Sequence, residues 1–453
     1  MSLDLTPPFP FPVSGPLDPY VNYLKGYLTK LGRYDQGDQS LAKAIQEGLD
    51  EGVVELKFWN ITSADNFMYY ANYLLTSWIP SETHNSRFIY QVLTVFYYIF
   101  DRPALCDLQT QISPDSIEGD MPKMTPLSDW VVGYAKRMGS WLSTSASITK
   151  DSYQTFLTAK EYRMSDPGDY KIPDPHSDTG GFQSFNQFFC RFLKEPHSSV
   201  RPIDEDINTV VFPADSTFDN AWPIDNDLYV DIQDPDAPAS SLDHDNVVEV
   251  KLVKWPLSAL LAGSAFTETF KGGTWAHVFL NTFDYHRQHA PVSGTVREAF
   301  LVEGCAYLQV EAQVGDDGKK RLQPRRGYTS AVKAGDAVAA QPSAPDGAGY
   351  QFIQQRGCIV IDTAGFANIG MVAVLPMGMA QVSSVNLSEG SKVGNIVRKG
   401  DEISWFEFGG SDLVLVFEAQ AQVGDFPPTN TKEHPSPHHL MGEKLCTVKA
   451  KAT

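Results

Sequence analysis

His286 and His289 stand three apart in Tyr285-His286-Arg287-Gln288-His289-Ala290-Pro291, immediately before a Pro-Val-Ser-Gly turn into a β-type run. An imidazole titrates near neutrality, so two at this spacing suit proton transfer at physiological pH, whereas a single histidine on a strand is more often structural. A metal reading needs a third ligand, and no nearby cysteine or carboxylate supplies one, so no metal is expected. His434, His438 and His439 read as a solvated run near the C-terminus. The second candidate is Phe408-Gly409-Gly410-Ser411-Asp412-Leu413, which joins two β-type runs. Its plain reading is a hairpin turn. Two glycines also remove the Cβ atoms that would restrict the backbone, which lets the Ser411 hydroxyl approach the Gly410 carbonyl. The third is Asp215, at the end of Phe212-Pro213-Ala214-Asp215. Such an aspartate commonly caps a turn. A carboxylate that orients a histidine, which in turn takes a proton from a serine, is the general arrangement for activating a nucleophile. Spacing alone does not bring the three together.

The elements that must position these residues differ along the chain. From about residue 18 to 165 the apolar spacing is helical. Ser63 or Asp65 caps a helix carrying Phe67, Tyr70, Leu74, Trp78 and Ile79, stopped by Pro80. Phe88, Val92, Phe96, Ile99 and Phe100 form a second stripe before Pro103, and Trp130, Tyr134, Met138 and Trp141 a third. These stripes read as core rather than as a cofactor site. Turn formers fill 164–181, after which the texture changes to short β-type runs: 210–212, 247–253, 295–302, 359–361, 370–375, 403–408 and 413–417. The expected class is α+β, with a helical N-terminal domain (1–180), a β-rich catalytic domain (181–425) and a polar C-terminal tail (426–453). Residues 313–350 read as a long mobile loop, and the tail as loosely held.

Composition narrows the function. With 36 Lys+Arg against 55 Asp+Glu the net charge is −19, which opposes binding to nucleic acid or anionic lipid. Five widely spaced cysteines with no Cys-x-x-Cys pair suggest a reducing, cytoplasmic setting. No signal peptide and no run of 18 apolar residues is visible, so stable membrane insertion is not expected.

From Phe185 to Phe417 the chain resembles the phosphatidylserine decarboxylases, which make their own pyruvoyl cofactor by internal serinolysis. The resemblance runs in order through Phe185-Asn186-Gln187-Phe188-Phe189-Cys190-Arg191, Arg201-Pro202-Ile203, Pro213-Ala214-Asp215, Tyr285 to Pro291, Ile361-Asp362-Thr363 and Lys399-Gly400-Asp401-Glu402, ending in Phe408-Gly409-Gly410-Ser411. The helical first part is similar to the extension of the fungal members that act on free amino acids, such as tryptophan decarboxylase. Three positions depart from the family pattern: Ser216 replaces a glycine, Gln354-Gln355-Arg356 stands for Asn-Glu-Arg, and Asp412 replaces the usual threonine. The loss of a charge at Gln355 and its gain at Asp412 put substrate choice in question.

The resemblance implies that Asp215 orients His289 and that His289 deprotonates Ser411, whose Oγ attacks the Gly410 carbonyl. The chain then parts between Gly410 and Ser411, residue 411 becomes the pyruvoyl group, and the cleaved C-terminal fragment stays as a partner of the rest. His286 is implied in protonating the substrate carbon or assisting decarboxylation. The expected activity is decarboxylation of a free L-amino acid, aromatic and tryptophan first, with phosphatidylserine as the alternative substrate. A β-domain that only binds is disfavoured by the presence together of Asp215, His286, His289, Gly410 and Ser411.

Overall fold

The computed structural model describes residues 11–83, 88–165, 168–232, 254–315, 317–324, 349–382, 384–429 and 436–449. The first part is helical, as its periodicity predicts. Ser63 caps the helix Ala64–Thr76 by accepting from the Asn66 N–H, and Phe67, Tyr70 and Leu74 face inward. Helix Phe88–Phe100 has Ile89 and every residue from Val92 to Phe100 buried, so it runs through the middle of the helical layer. Helix Pro126–Leu142 starts on a Thr125 cap and turns Trp130, Tyr134 and Met138 to the same core.

The second part is built on an eight-stranded sheet. Its strands lie in the order Ile396–Val397, Gly294–Val302, Gln355–Asp362, Met371–Gly378, Ser411–Phe417, Thr274–Leu280, Ser216–Pro223 and His438–His439. Neighbours pair antiparallel throughout. Side chains alternate between faces of a strand. In Ser411–Phe417, accordingly, Leu413, Leu415 and Phe417 enter one apolar cluster and Val414 and Val416 another. With both faces covered, this strand reads as a continuous apolar run rather than an alternating one. A three-stranded sheet, Val385–Leu387, Glu402–Phe406 and Arg287–His289, stands beside it. Strands Ser216–Pro223 and Thr274–Leu280 escape the sequence reading, because polar residues and a histidine interrupt their apolar runs. The expected run at 247–253 lies outside the described residues.

The helical and β-rich parts pack together, with Phe279, Tyr285, Met379, Ala380, Phe408 and Met441 in the same cluster as the helices. Two expectations change. The segment from 310 is not a loop, since Val310–Val314 and Lys320–Pro324 form a hairpin whose Val310 and Leu322 join that core; most of the remainder of the expected mobile segment, 325–348, lies outside the described residues. The tail is not loosely held between 436 and 449. His438–His439 adds a strand beside Ser216–Thr217, and Lys444–Thr447 pairs with Thr209–Val211.

Candidate active site

Gly409 and Gly410 carry the chain from Glu402–Phe406 in the small sheet to Ser411–Phe417 in the large one. The Gly-Gly-Ser segment is therefore a crossing between sheets rather than a hairpin. Gly409 has φ +151°, and a Cβ there would meet the Val382 backbone nitrogen at 2.2 Å. At Gly410 the nearest atom to a built Cβ is the Ala380 Cβ at 3.7 Å, so the demand for glycine on grounds of space is concentrated at 409. The turn 379–382 grips the segment through two backbone bonds. Met379 N–H donates to the Gly410 carbonyl at 2.9 Å, and Gly410 N–H donates to Ala380 O at 2.9 Å. The carbonyl that Ser411 would attack thus already has a fixed N–H on its oxygen, the arrangement that stabilises negative charge developing there. Ser411 is fully buried, and its Oγ has no hydrogen-bond partner among the described residues. A buried hydroxyl without a partner is costly, which is the usual mark of a group kept for chemistry.

The helical part closes over this segment. Phe408 lies edge-on to Trp78, Phe185 and Phe189, with ring centroids 5.5, 5.5 and 5.3 Å away. Its N–H donates to Asn186 Oδ1, while Asn186 Nδ2 donates to Gly139 O and Ser143 Oγ on helix Pro126–Leu142. Helix Phe88–Phe100 reaches the gripping turn directly, because the Gln381 N–H donates to the Tyr97 hydroxyl at 2.8 Å.

The two predicted histidines are held differently. His286 is wholly buried and stacks on Phe189 at 3.9 Å, and neither of its nitrogens makes a well-formed hydrogen bond. Burial, helped by the Arg191 charge, pushes its pKa well below the usual histidine range. His289 is fixed at both ends: Nδ1 lies 2.6 Å from Gly400 O and Nε2 2.9 Å from the Tyr285 hydroxyl. A carbonyl only accepts, so Nδ1 carries the proton and the Nε2 lone pair accepts from Tyr285. Burial lowers the His289 pKa to about 4, which leaves the ring neutral, the form a general base requires. Arg287 and Gln288 between them are clamps. Arg287 Nη1 donates to both Glu402 oxygens at 2.8 and 2.9 Å, and Ser404 Oγ donates to Gln288 Oε1.

Asp215 is close to His289 in the fold but does not hydrogen-bond to it. The His289 N–H donates to Pro213 O, which ties the Pro213–Asp215 corner to the histidine strand. The Asp215 carboxylate itself is taken by Arg201, through Nε at 2.8 Å and Nη2 at 2.6 Å, and by the Met441 N–H at 2.9 Å. The implied orientation of His289 is thus carried out by Gly400, with Asp215 acting on it only across space. Arg201 and Tyr285 are the residues that sequence reasoning left in the background, although both belong to the motifs quoted for the resemblance. A cavity of about 450 Å³ opens beside Asp215, with Lys160 and Arg163 from the helical part, Thr217 from the sheet, Asn281 just past the strand Thr274–Leu280, and His438 among its walls. His438 is exposed, as read from the sequence, but anchored: its Nε2 lies 2.8 Å from buried Asp284. His439 stacks on Phe212.

Asp412 is also completely buried. Its Oδ2 accepts from the Tyr350 hydroxyl and lies 3.1 Å from His277 Nε2, while His277 Nδ1 lies 2.8 Å from Asp219 Oδ2. The Asp412 and Asp219 carboxylates outweigh burial and raise the His277 pKa to about 9.

Residues 185–447 match the family model described as phosphatidylserine decarboxylase, which is more than half of the chain. The chain belongs to the phosphatidylserine decarboxylase family, a family of pyruvoyl-dependent carboxy-lyases whose proenzymes form their cofactor from an internal serine. Among its relatives are the phosphatidylserine decarboxylase proenzymes of Escherichia coli strain K12 / DH10B and of Escherichia fergusonii. Each is 31% identical over 195 residues, covering 42% of this chain and 49% of the relative. The chain spans about half the length of the curated relatives it matches.

Proposed function

We propose that this chain is a self-processing, pyruvoyl-dependent decarboxylase cleaved between Gly410 and Ser411, and that it acts on a free L-amino acid with an aromatic side chain, tryptophan first. The observation that carries the processing is the buried Ser411 Oγ, without a hydrogen-bond partner among the described residues, directly after a glycine whose carbonyl is gripped by the Met379 N–H. Attack of Oγ on that carbonyl converts the peptide bond into an ester, with Met379 N–H stabilising the oxyanion. The proton from Oγ is destined for neutral His289, and the Tyr285 hydroxyl on the His289 lone pair must either yield its place or pass the proton on. Loss of the residue 411 Cα proton then expels Gly410 as a carboxylate. The dehydroalanine left behind takes up water and releases ammonia, giving residue 411 its ketone.

That ketone, once formed, supplies the carbonyl that takes the substrate amine and draws off the electron pair released with CO2. The residues around it do the rest. Trp78, Phe185, Phe189 and Phe408 pack an apolar aromatic cluster beside the reacting segment, and burying an indole against a surface of this kind would contribute about 2–3 kcal/mol. His286, dry and uncharged, is suited to handle a proton at the substrate carbon only after taking one up during turnover. The net charge of −19 disfavours an anionic bilayer as the source of substrate. Among the described residues no helix is long and apolar enough to cross a membrane.

Phosphatidylserine is the second reading, favoured by the activity for which the relatives are named. The test is CO2 release from tryptophan, phenylalanine, tyrosine, aliphatic amino acids and phosphatidylserine in mixed micelles, compared by kcat/KM. Tryptophan is expected to lead; turnover confined to the phospholipid would replace the first reading with the second.

A further inference from the structure

Behind the cofactor-forming position lies an ionic chain that the mechanism above does not use. Asp412 follows Ser411 directly, and its side chain leaves the strand on the opposite face. There Asp219, His277, Asp412 and Tyr350 meet from four elements: the strands Ser216–Pro223, Thr274–Leu280 and Ser411–Phe417, and the turn Tyr350–Phe352. His277 is 2% exposed and Asp412 fully buried, while the Asp219 side chain keeps 21% of its surface in water. Trp275 stacks on the His277 ring with centroids 5.7 Å apart, and Gln351 Nε2 and the Tyr350 hydroxyl lie 3.5 and 3.4 Å from Nε2. Asp412 Oδ1 has no hydrogen-bond partner among the described residues, so neutralisation of this carboxylate falls to His277 and Tyr350 through Oδ2.

We propose that His277 is a positioning residue for the reaction at residue 411: as an imidazolium clamped between Asp219 and Asp412, it neutralises and fixes the carboxylate that adjoins the reacting residue. The inference rests on the reading of Ser411 as the processed residue. A carboxylate sealed from water as Asp412 is, with half-buried Asp219 beyond it, is costly without a cation beside it, and a bare carboxylate one residue away would oppose any chemistry that moves electrons toward residue 411. His277, held charged to about pH 9, supplies that cation. The charged groups facing it among the described residues are Asp219 and Asp412, with the Tyr350 hydroxyl beside them.

The first test uses the full-length Ser411→Ala chain, which needs no cofactor. Histidine NMR should show one imidazole titrating near pH 9, and Asp412→Asn in that background should lower its midpoint by at least about one unit, because Asp412 is the larger of the two raising influences. The second test is turnover by the processed enzyme. His277→Gln should lower kcat about 100-fold with KM nearly unchanged, and adding Asp412→Asn should restore at least about tenfold, because the double variant no longer buries an unpaired carboxylate beside residue 411. A midpoint unmoved by Asp412→Asn, or an equal loss of kcat in the single and double variants, overturns the proposal. A wild-type chain that never parts at Gly410 instead overturns the reading of Ser411, whatever His277 does.

Discussion

His286 and His277 are both sealed from water, 0% and 2% exposed, yet their surroundings drive them in opposite directions. His286 lies against Phe189 with no well-formed hydrogen bond to its nitrogens among the described residues, and burial holds it neutral. His277 lies between two carboxylates and stays charged to about pH 9. Burial alone therefore does not decide the charge of an imidazole, because carboxylate partners can outweigh it. The consequence is a site with two regions, one kept dry by close contact and aromatic packing around Ser411, and one kept ionic behind Asp412.

A region built by contact should break by contact. Gly409→Ala places a Cβ 2.2 Å from the Val382 nitrogen and should stop processing on the time scale of a purification, a loss of at least about 1,000-fold in rate. Gly410→Ala, with its nearest contact at 3.7 Å, should process within about tenfold of wild type. Gel analysis of fragment appearance separates the two, and equal rates would show that the grip on Gly409 does not hold the reacting geometry.

The buried Arg201–Asp215 pair, separate from the region behind Asp412, should break by charge. Arg201→Met leaves the Asp215 carboxylate buried without its bidentate partner and should cost about 3–5 kcal/mol in unfolding free energy. Denaturant titration of the Ser411→Ala chain with and without the change measures this. A loss below about 1 kcal/mol would mean that Asp215 finds another partner.

Much of this was legible in the sequence, and the rest was hidden for physical reasons. The helical stripes around Phe67, Phe96 and Trp130 follow from periodicity, since burial of one face imposes it. His286, His289 and Ser411 could be singled out as candidates from residue type, spacing and the resemblance. Which nitrogen of His289 is protonated could not, because the Gly400 carbonyl that fixes it is 111 residues away in sequence. Likewise Arg201, not His289, takes the Asp215 carboxylate, a choice made by the packing of the 197–215 segment. The tail misleads for another reason: His438 and His439 are polar and Pro-flanked, but they complete a sheet edge and meet Asp284 and Phe212.

The smallest expected effect is on the shape of the stability curve. A histidine whose folded pKa is depressed favours the fold above its unfolded pKa, so His289 should cost stability as pH falls from about 6.5 toward 4, by up to about 1.4 kcal/mol per unit. His277, whose folded pKa is raised, contributes fully below about 6.5, and its contribution is lost as pH rises through about 9. Melting the Ser411→Ala chain from pH 4 to 10 should show both limbs; His289→Gln should make the acid limb shallower, leaving the part contributed by buried His286, and should not change the alkaline one.

The central claim is that Ser411 cuts its own chain, and the intact mass of the denatured protein tests it most directly. Wild type purified without added protease should give two fragments, 1–410 and 411–453, the smaller beginning with a ketone in place of an amine, while Ser411→Ala gives one unbroken chain. A wild-type protein that is folded and turns over substrate yet runs as a single mass of the full chain would contradict the account.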